Sequence, residues 1–429
     1  MELFFFLECR LASFFLHFYY RMDENLGSGL TAKCVTTPRL NCRTHKKKLD
    51  GSPRKYVSKI INKPGKEHID LEMYYRELLI SKKIADEAIK KDNGSKEWLD
   101  SRFAVVYESC LLDKNVNKER SFKACELEDD TDYFIVFSIN GGCKYGDPEV
   151  GEKVTYFNKE LNSLITGEVD SIEGDNYIVN VDDQQINLPK SRLVKTCGVL
   201  NNKNVMLTYF ARIKGIRMRF KYILESIQFL HSIGIAHLDI KRDNLIADPN
   251  GVIRVIDFGA SLSLFGENEK FFSKLCKKMK THKYSEFNDR FREGLLLKIA
   301  VHTPGYVSPE FQLCSDLLGK KRLDMVGETR KISKKSNVKL SKVNKQFLLD
   351  LNKNKKQFMI DMFCGTDGKS PALFMSDVYS LGTVFKKIIK ETNIKNSKLN
   401  NLISRMRDPV YQTRITIDEC LNHPFFKSN

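Results

Sequence analysis

The sequence predicts an α+β fold, with strands dominating its first half, and three observations lead there. Tyr56-Val57-Ser58-Lys59-Ile60-Ile61 and Tyr133-Phe134-Ile135-Val136-Phe137-Ser138 are apolar, β-branched runs of strand length. Between about residues 151 and 195 the pattern changes to short alternating runs separated by Gly, Asp and Asn, the signature of a small antiparallel sheet. Further on, His237-Leu238-Asp239-Ile240-Lys241-Arg242-Asp243-Asn244-Leu245 precedes Val255-Ile256-Asp257-Phe258-Gly259, a polar turn followed by a short strand and a second acidic turn.

That last stretch also carries chemistry. Phosphoryl transfer needs positioning and charge neutralisation more than covalent help: a carboxylate near the nucleophile, oxygen ligands for a hard divalent cation, and cations over the phosphates. Asp239 is placed to orient a hydroxyl, and Asn244 and Asp257 to ligate Mg²⁺. The alternative is a pair of turns that happen to be rich in Asp and Asn, which are common turn formers.

The segment resembles the protein-kinase catalytic loop, H-R-D-x-x-x-x-N, and its following D-F-G, with Asp257 eighteen positions after Asp239, the usual interval. The resemblance implies a two-lobed kinase fold, with a small β-rich N-lobe and a larger helical C-lobe, and it implies ATP with Mg²⁺ or Mn²⁺ as cofactors.

Other parts of that family follow in order. Leu26-Gly27-Ser28-Gly29-Leu30-Thr31-Ala32-Lys33-Cys34-Val35 resembles the glycine-rich loop, where missing Cβ atoms let backbone N–H groups approach phosphate; Ala32 stands at the usual third glycine. Lys59 matches the lysine that holds the α- and β-phosphates, and Glu77, eighteen positions on, matches its partner, with Glu72 as an alternative. Val136 matches the back of the adenine pocket, before a hinge at Ile139-Asn140-Gly141-Gly142.

Downstream, Thr303-Pro304-Gly305-Tyr306-Val307-Ser308-Pro309-Glu310 resembles the substrate loop that ends in A-P-E. Asp377 in Ser376-Asp377-Val378-Tyr379-Ser380-Leu381-Gly382 matches the aspartate that braces the catalytic loop. Arg414 matches the ion-pair partner of Glu310, and His423-Pro424-Phe425-Phe426 the closing helix. Lys241 and Thr303 are what serine/threonine kinases carry, so the implied acceptors are protein Ser and Thr hydroxyls.

Two positions depart from the family pattern. Ser81 stands where a large apolar residue is usual, one helical turn after Glu77. Leu238 replaces the arginine that commonly pairs with an activation-loop phosphate. The second departure predicts activity without obligatory activation-loop phosphorylation. Alternatives from other classes stay open: a pseudokinase scaffold, or a recognition protein acting through the insertion.

The resemblance divides the chain into an apolar extension (1–21), the N-lobe and hinge (22–148), a β-rich insertion (149–197) and the C-lobe (198–429). The insertion resembles an SH3-like or Tudor-like barrel. Its Tyr156, Phe157 and Tyr177 are either surface for a methylated lysine or peptide or the fill of its own small core, which a segment this short favours. Two further insertions, near 265–300 and 316–370, are rich in lysine and read as polar loops.

At 429 residues and 41% hydrophobic content the chain can bury a sizeable core. Its formal net charge of +17 comes with no compact basic and aromatic pattern, so it carries no strong nucleic-acid signal; acidic protein substrates are the simpler partner. The eleven cysteines are scattered, with no C-x-x-C pair, which predicts reduced intracellular thiols rather than a zinc site or disulfide framework, in the cytoplasm or nucleus. Residues 1–20 are apolar but broken by Glu8 and Arg10, fitting neither a secretory signal nor a spanning helix. They are a packed helix, an interfacial membrane anchor, or sequence upstream of a start at Met22.

Overall fold

In a computed structural model, residues 25–28, 32–37, 56–62, 69–93, 97–112, 133–139, 150–151, 153–158, 163–182, 184–189, 193–194, 198–248, 251–264, 270–281, 303–319, 350, 353–365 and 370–427 are described. The apolar extension, Gly29, the hinge residues 140–142, Lys283 and the basic runs at 320–322 and 334–335 lie outside them. Two compact units result: 1–82 with 103–208 and 246–254, and 83–102 with 209–245 and 255–429.

The first unit holds two antiparallel sheets. Strands β1 (Asn25–Ser28), β2 (Ala32–Thr37), β3 (Tyr56–Asn62), β4 (Val106–Leu112) and β5 (Tyr133–Ile139) pair in the order β1-β2-β3-β5-β4. Both runs read as strands from their β-branched and aromatic content, β3 and β5, lie side by side in it. Helix α1 (Ile69–Lys91) follows β3 and buries Ile80, Ile84 and Ala88 at spacings of four, the stripe expected of a helix with one core-facing side. Glu77 and Ser81 are buried on it too, and the Ser81 hydroxyl has no hydrogen-bond partner.

The second sheet falls within residues 149–197. Strands β6 (Lys153–Asn158), β7 (Ser163–Glu173), β8 (Asn176–Val181), β9 (Gln184–Pro189) and β10 (Leu193–Val194) pair in the order β10-β6-β7-β8-β9. Alternate residues bury a core of Val154, Tyr156, Val169, Tyr177, Val179, Val181 and Leu188, as period-two patterning requires. Tyr156 and Tyr177 are each only 3% exposed, so neither is part of an aromatic surface. Gly174 begins the two-residue turn from β7 to β8 with φ +60°, a conformation that glycine adopts without cost. At Gly167 a Cβ would stand 2.5 Å from the Asn180 carbonyl oxygen and from Val179 and Val181 methyls, so no side chain fits there.

In the second unit, helix α2 (Glu97–Arg102) precedes α4 (Ile213–Ser232) in sequence, and α3 (Lys203–Phe210), whose residues 203–208 belong to the first unit, comes just before α4. Helix α4 buries Ile216, Phe220, Ile223, Leu224, Ile227 and Leu230, and Phe220 stacks on Phe385 with ring centres 3.5 Å apart. Phe385 belongs to a long buried helix, described below with the site. Short strands β11 (Gly198–Val199), β13 (Leu245–Ala247) and β14 (Ile253–Val255), most of whose residues belong to the first unit, form one small sheet, and β12 (Ile235–Ala236) with β15 (Leu262–Ser263), in the second, another. No helix among the described residues is long and apolar enough to cross a membrane.

Two expectations are corrected here. The lysine-rich insertions contain helices: α5 (Lys270–Thr281) and, beyond α6 (Pro309–Gly319), α7 (Lys355–Phe363). Lys274, Lys277 and Lys280 of α5 are exposed while Leu275 and Met279, four apart, are buried. Helix α7 buries Phe358, Met359, Met362 and Phe363, and Asn354 caps it through the Gln357 N–H. Lysine content hid a helical period in which few inward positions are needed. The second correction concerns the thiols. Cys276 of α5 and Cys364, just past α7, form a disulfide with Cα atoms 5.6 Å apart, well inside the bridging range. Spacing 88 residues apart in sequence gave no sign of it.

Candidate active site

The polar loop at 237–244 is shaped from beneath by one carboxylate. Helix α8 (Ala372–Thr392) carries Asp377 with no solvent exposure. Its carboxylate accepts the backbone N–H of His237 at 2.7 Å and of Leu238 at 2.8 Å, and contacts Nε2 of His231 at 3.0 Å. Leu238 takes φ +65°, a left-handed conformation that costs a non-glycine residue roughly 1–2 kcal/mol. A buried charge satisfied by both N–H groups is a sufficient reason for the chain to accept that cost.

Directly after this bend, Asp239 is held on both carboxylate oxygens. Thr303 Oγ1 donates to Oδ1 at 2.6 Å, while Lys241 Nζ at 2.7 Å and Asn244 Nδ2 at 3.0 Å donate to Oδ2. Lys241 Nζ also reaches Thr303 Oγ1 at 3.0 Å, and Asn244 Nδ2 donates to the Asp239 carbonyl at 2.8 Å. A short 3₁₀ turn, Arg242–Asn244, presents Asn244 for this. The result is a partly buried carboxylate of fixed orientation, with side-chain exposures of 9% for Asp239 and 21% for Lys241: accessible, yet preorganised.

Asp257 lies close to Asn244 along the backbone. The Ile256 N–H donates to the Asn244 carbonyl at 3.1 Å, and the Ile256 carbonyl faces His237 Nε2 at 3.2 Å. Asp257 then turns sharply with φ +64°, and Phe258 is buried. These bonds tie the two sequence-predicted metal ligands to one frame.

The substrate-loop candidates are joined by a buried pair. Arg414 donates to both oxygens of Glu310, at 2.6 and 2.9 Å, with neither side chain exposed. Two more of its N–H groups go to the carbonyls of Asp408 and Met375. Four of the five guanidinium N–H groups thus have acceptors, which is what makes a buried ion pair tolerable. Ser308 and Ser376 share a buried hydrogen bond in the same loop, a contact that no spacing announced.

In the first unit, the nucleotide-loop candidates Leu26, Gly27 and Ser28 lie on β1, and Ala32 and Cys34 on β2. Register puts Gly27 opposite Cys34, Cys34 opposite Lys59, Lys59 opposite Val136 and Val136 opposite Ser109. Four residues chosen from three motifs therefore share one row of the sheet. Sequence reasoning missed His231 and the strained bend at Leu238, whose only sign was the exchange of a charged residue for an apolar one.

A model of the protein kinase domain matches residues 207–426. Among curated proteins, CBL-interacting protein kinase 5 of Oryza sativa is 28% identical over 49% of this chain and 34% of its own length. CBL-interacting serine/threonine-protein kinase 9 of Arabidopsis thaliana is 34% identical over 22% of this chain and 16% of its own. The nitrogen permease reactivator protein of Saccharomyces cerevisiae is 51% identical over 10% of this chain and 5% of its own. The matched stretches span no more than about a third of any of these relatives. With just over half of its residues matched to the domain model, and with that domain's loop geometry in place, the chain belongs to the protein kinase family.

Proposed function

We propose that this protein is a serine/threonine kinase that transfers the γ-phosphoryl group of ATP to Ser and Thr hydroxyls of proteins. The observation that carries the reading is the Asp239 carboxylate, clamped by Lys241, Thr303 and Asn244. In this role Asp239 orients the acceptor hydroxyl and takes up its proton, and Lys241 steadies the transferring phosphoryl group. Thr303, bonded to both, fixes the rotamer of each and holds the acceptor loop against the loop that acts on it.

The residues fit a divalent cation. Asn244 commits its amide nitrogen to Asp239, which turns its amide oxygen away from that carboxylate and leaves a hard ligand of the kind Mg²⁺ takes. Asn244 and Asp257 would hold the metal, and Lys59, the 26–32 loop and Cys34 the nucleotide, with Val136 behind the base and Glu77 as the partner of Lys59. Bound metal neutralises phosphate charge as the transfer proceeds.

The inserted sheet is read as an SH3-like barrel stabilised by its own core. The exposed lysines of α5, inside the activation segment, support a preference for acidic acceptor sequences.

The test is Mg²⁺-dependent transfer of labelled phosphate from ATP to acidic and basic protein substrates. Asp239→Asn and Lys59→Met should each lower the rate by about 100-fold or more, with Asp239→Asn leaving nucleotide binding intact. Undiminished transfer in Asp239→Asn would remove that residue from the mechanism, and no transfer by the unaltered chain would favour a scaffold.

A further inference from the structure

Helix α5 sits within the activation segment, between Asp257 and Thr303, and little of it is buried. Leu275 and Met279 are its described inward side chains; both enter an apolar cluster with Leu238, Leu262, Leu264, Phe311 and the α7 residues Phe358, Met359 and Met362. A helix this short is marginal by itself, so its place depends on that face. The disulfide between Cys276 and Cys364 ties it to the end of α7. Leu238, a buried member of that cluster, is the residue standing where related kinases offer a cation to an activation-loop phosphate.

We propose that Cys276 and Cys364 form a reversible thiol–disulfide site, and that closing it fixes the inserted helix of the activation segment onto Leu238, in the role a phosphate and an arginine fill elsewhere. The proposal rests on the kinase reading for its consequence and not for its chemistry. Both cysteines are partly exposed, so a small-molecule disulfide such as oxidised glutathione can reach them. Two S–H bonds break and one S–S bond forms in the protein; the reagent's S–S bond breaks, and it leaves as two thiols carrying the two protons and two electrons. In a reducing compartment the pair rests as dithiol, and α5 then has no covalent tie to α7, leaving non-covalent contacts such as those of Leu275 and Met279 to hold it. Cys314 and Cys420, the other cysteines with described side chains, are buried and outside this exchange.

The full chain is equilibrated at a series of oxidised-to-reduced glutathione ratios, then divided for non-reducing peptide mapping and for hydrogen exchange. The expected result is a peptide pair joined through Cys276 and Cys364 that appears with oxidation, together with exchange in residues 270–281 slowed about tenfold or more. Cys276→Ser and Cys364→Ser should show neither response while keeping transfer activity in reducing buffer. In the unaltered chain, oxidation should lower KM for a protein substrate several-fold, with no such change in the variants. A chain that never yields the joined peptides overturns the site. Joined peptides with unchanged exchange in 270–281 overturn its ordering role. Mapping and exchange need no catalysis, so a chain without transfer would refute the kinase reading and leave this one to be decided on its own terms.

Discussion

Leu238 belongs to two regions that hold the same loop by opposite means. Its backbone N–H is bound by Asp377 in a network of charged and polar groups, whereas its side chain closes an apolar cluster built from α5, α6, α7 and α8. The polar network specifies direction: its donors are aimed at particular acceptors, and a shift of an ångström breaks those bonds. The cluster specifies only volume, since dispersion and apolar burial have no preferred bearing. One region therefore fixes where Asp239 points, and the other fixes how firmly the segments around it stay packed.

The sharpest way to break that contrast lies at the buried pair. Glu310→Ala leaves the Arg414 guanidinium without a carboxylate in an unexposed site, and should cost about 3–5 kcal/mol, read as a fall in the urea midpoint. Replacing both partners together, Glu310→Leu with Arg414→Met, should restore most of that loss, because it removes the uncompensated charge. A double variant as unstable as the single one would mean that the carbonyl contacts of Arg414 at Asp408 and Met375, rather than the ion pair, organise the loop.

In the apolar region the expected losses are smaller and carry no comparable rescue. Met279→Ala removes one buried side chain of α5 and should cost roughly 2–3 kcal/mol, at the lower end for a buried Met. Because Asp239 keeps Lys241, Thr303 and Asn244, metal-dependent ATP binding should be unchanged. Calorimetric titration of the nucleotide before and after the substitution checks this; a matching loss of affinity would show the two regions to be one.

This contrast also explains what could be read in advance. Asp239, Asn244, Glu310, Asp377 and Arg414 were legible because a directional contact admits few residue types at a fixed spacing, and the structure brings their partners together. The strands at Lys59 and Val136 were legible from their β-branched and apolar content, whereas the register that sets Gly27, Cys34, Lys59 and Val136 in one row was not. Helices α5 and α7 were not. Among the described residues α5 meets the cluster through Leu275 and Met279 amid many lysines, any large apolar side chain would serve, and the cysteine pair is distant in sequence. The bend at Leu238 was illegible as well, because leucine gives no hint of a left-handed backbone.

That bend supplies a finer test of how much strain the Asp377 network maintains. Leu238→Ala and Leu238→Gly both empty the same space in the cluster, so their difference isolates the backbone. In a helix or strand glycine would be the worse choice by up to about 1 kcal/mol. At φ +65° the order should reverse, with Leu238→Gly more stable than Leu238→Ala by about 1 kcal/mol. The two thermal midpoints, measured side by side, decide it; an alanine variant at least as stable as the glycine one would mean that the loop relaxes out of the left-handed region once the side chain is gone.

The smallest effect concerns pH, to which only the polar kind of contact should respond. Burial, with Arg405 adding to it, holds the His423 imidazole below its usual range. Its ring explains why charging it is unwelcome: Nδ1 accepts the Phe425 N–H at 3.2 Å while Nε2 faces Asn401 Oδ1 at 3.0 Å, an arrangement that only the neutral ring with its proton on Nε2 can make. For a base whose folded value is lowered, the unfolded chain binds the proton more readily. The neutral ring's contribution is therefore complete above the unfolded value near 6.5 and declines as pH falls below it. The Glu419 carboxylate, lowered first by the Thr416 N–H, titrates in a more acidic window and does not confuse the comparison. Between pH 7.5 and 5.5 the unaltered chain should lose slightly more thermal stability than His423→Gln, while the deficit of Met279→Ala should be the same at both values. A His423→Gln variant that keeps the full pH dependence would move its origin to another group.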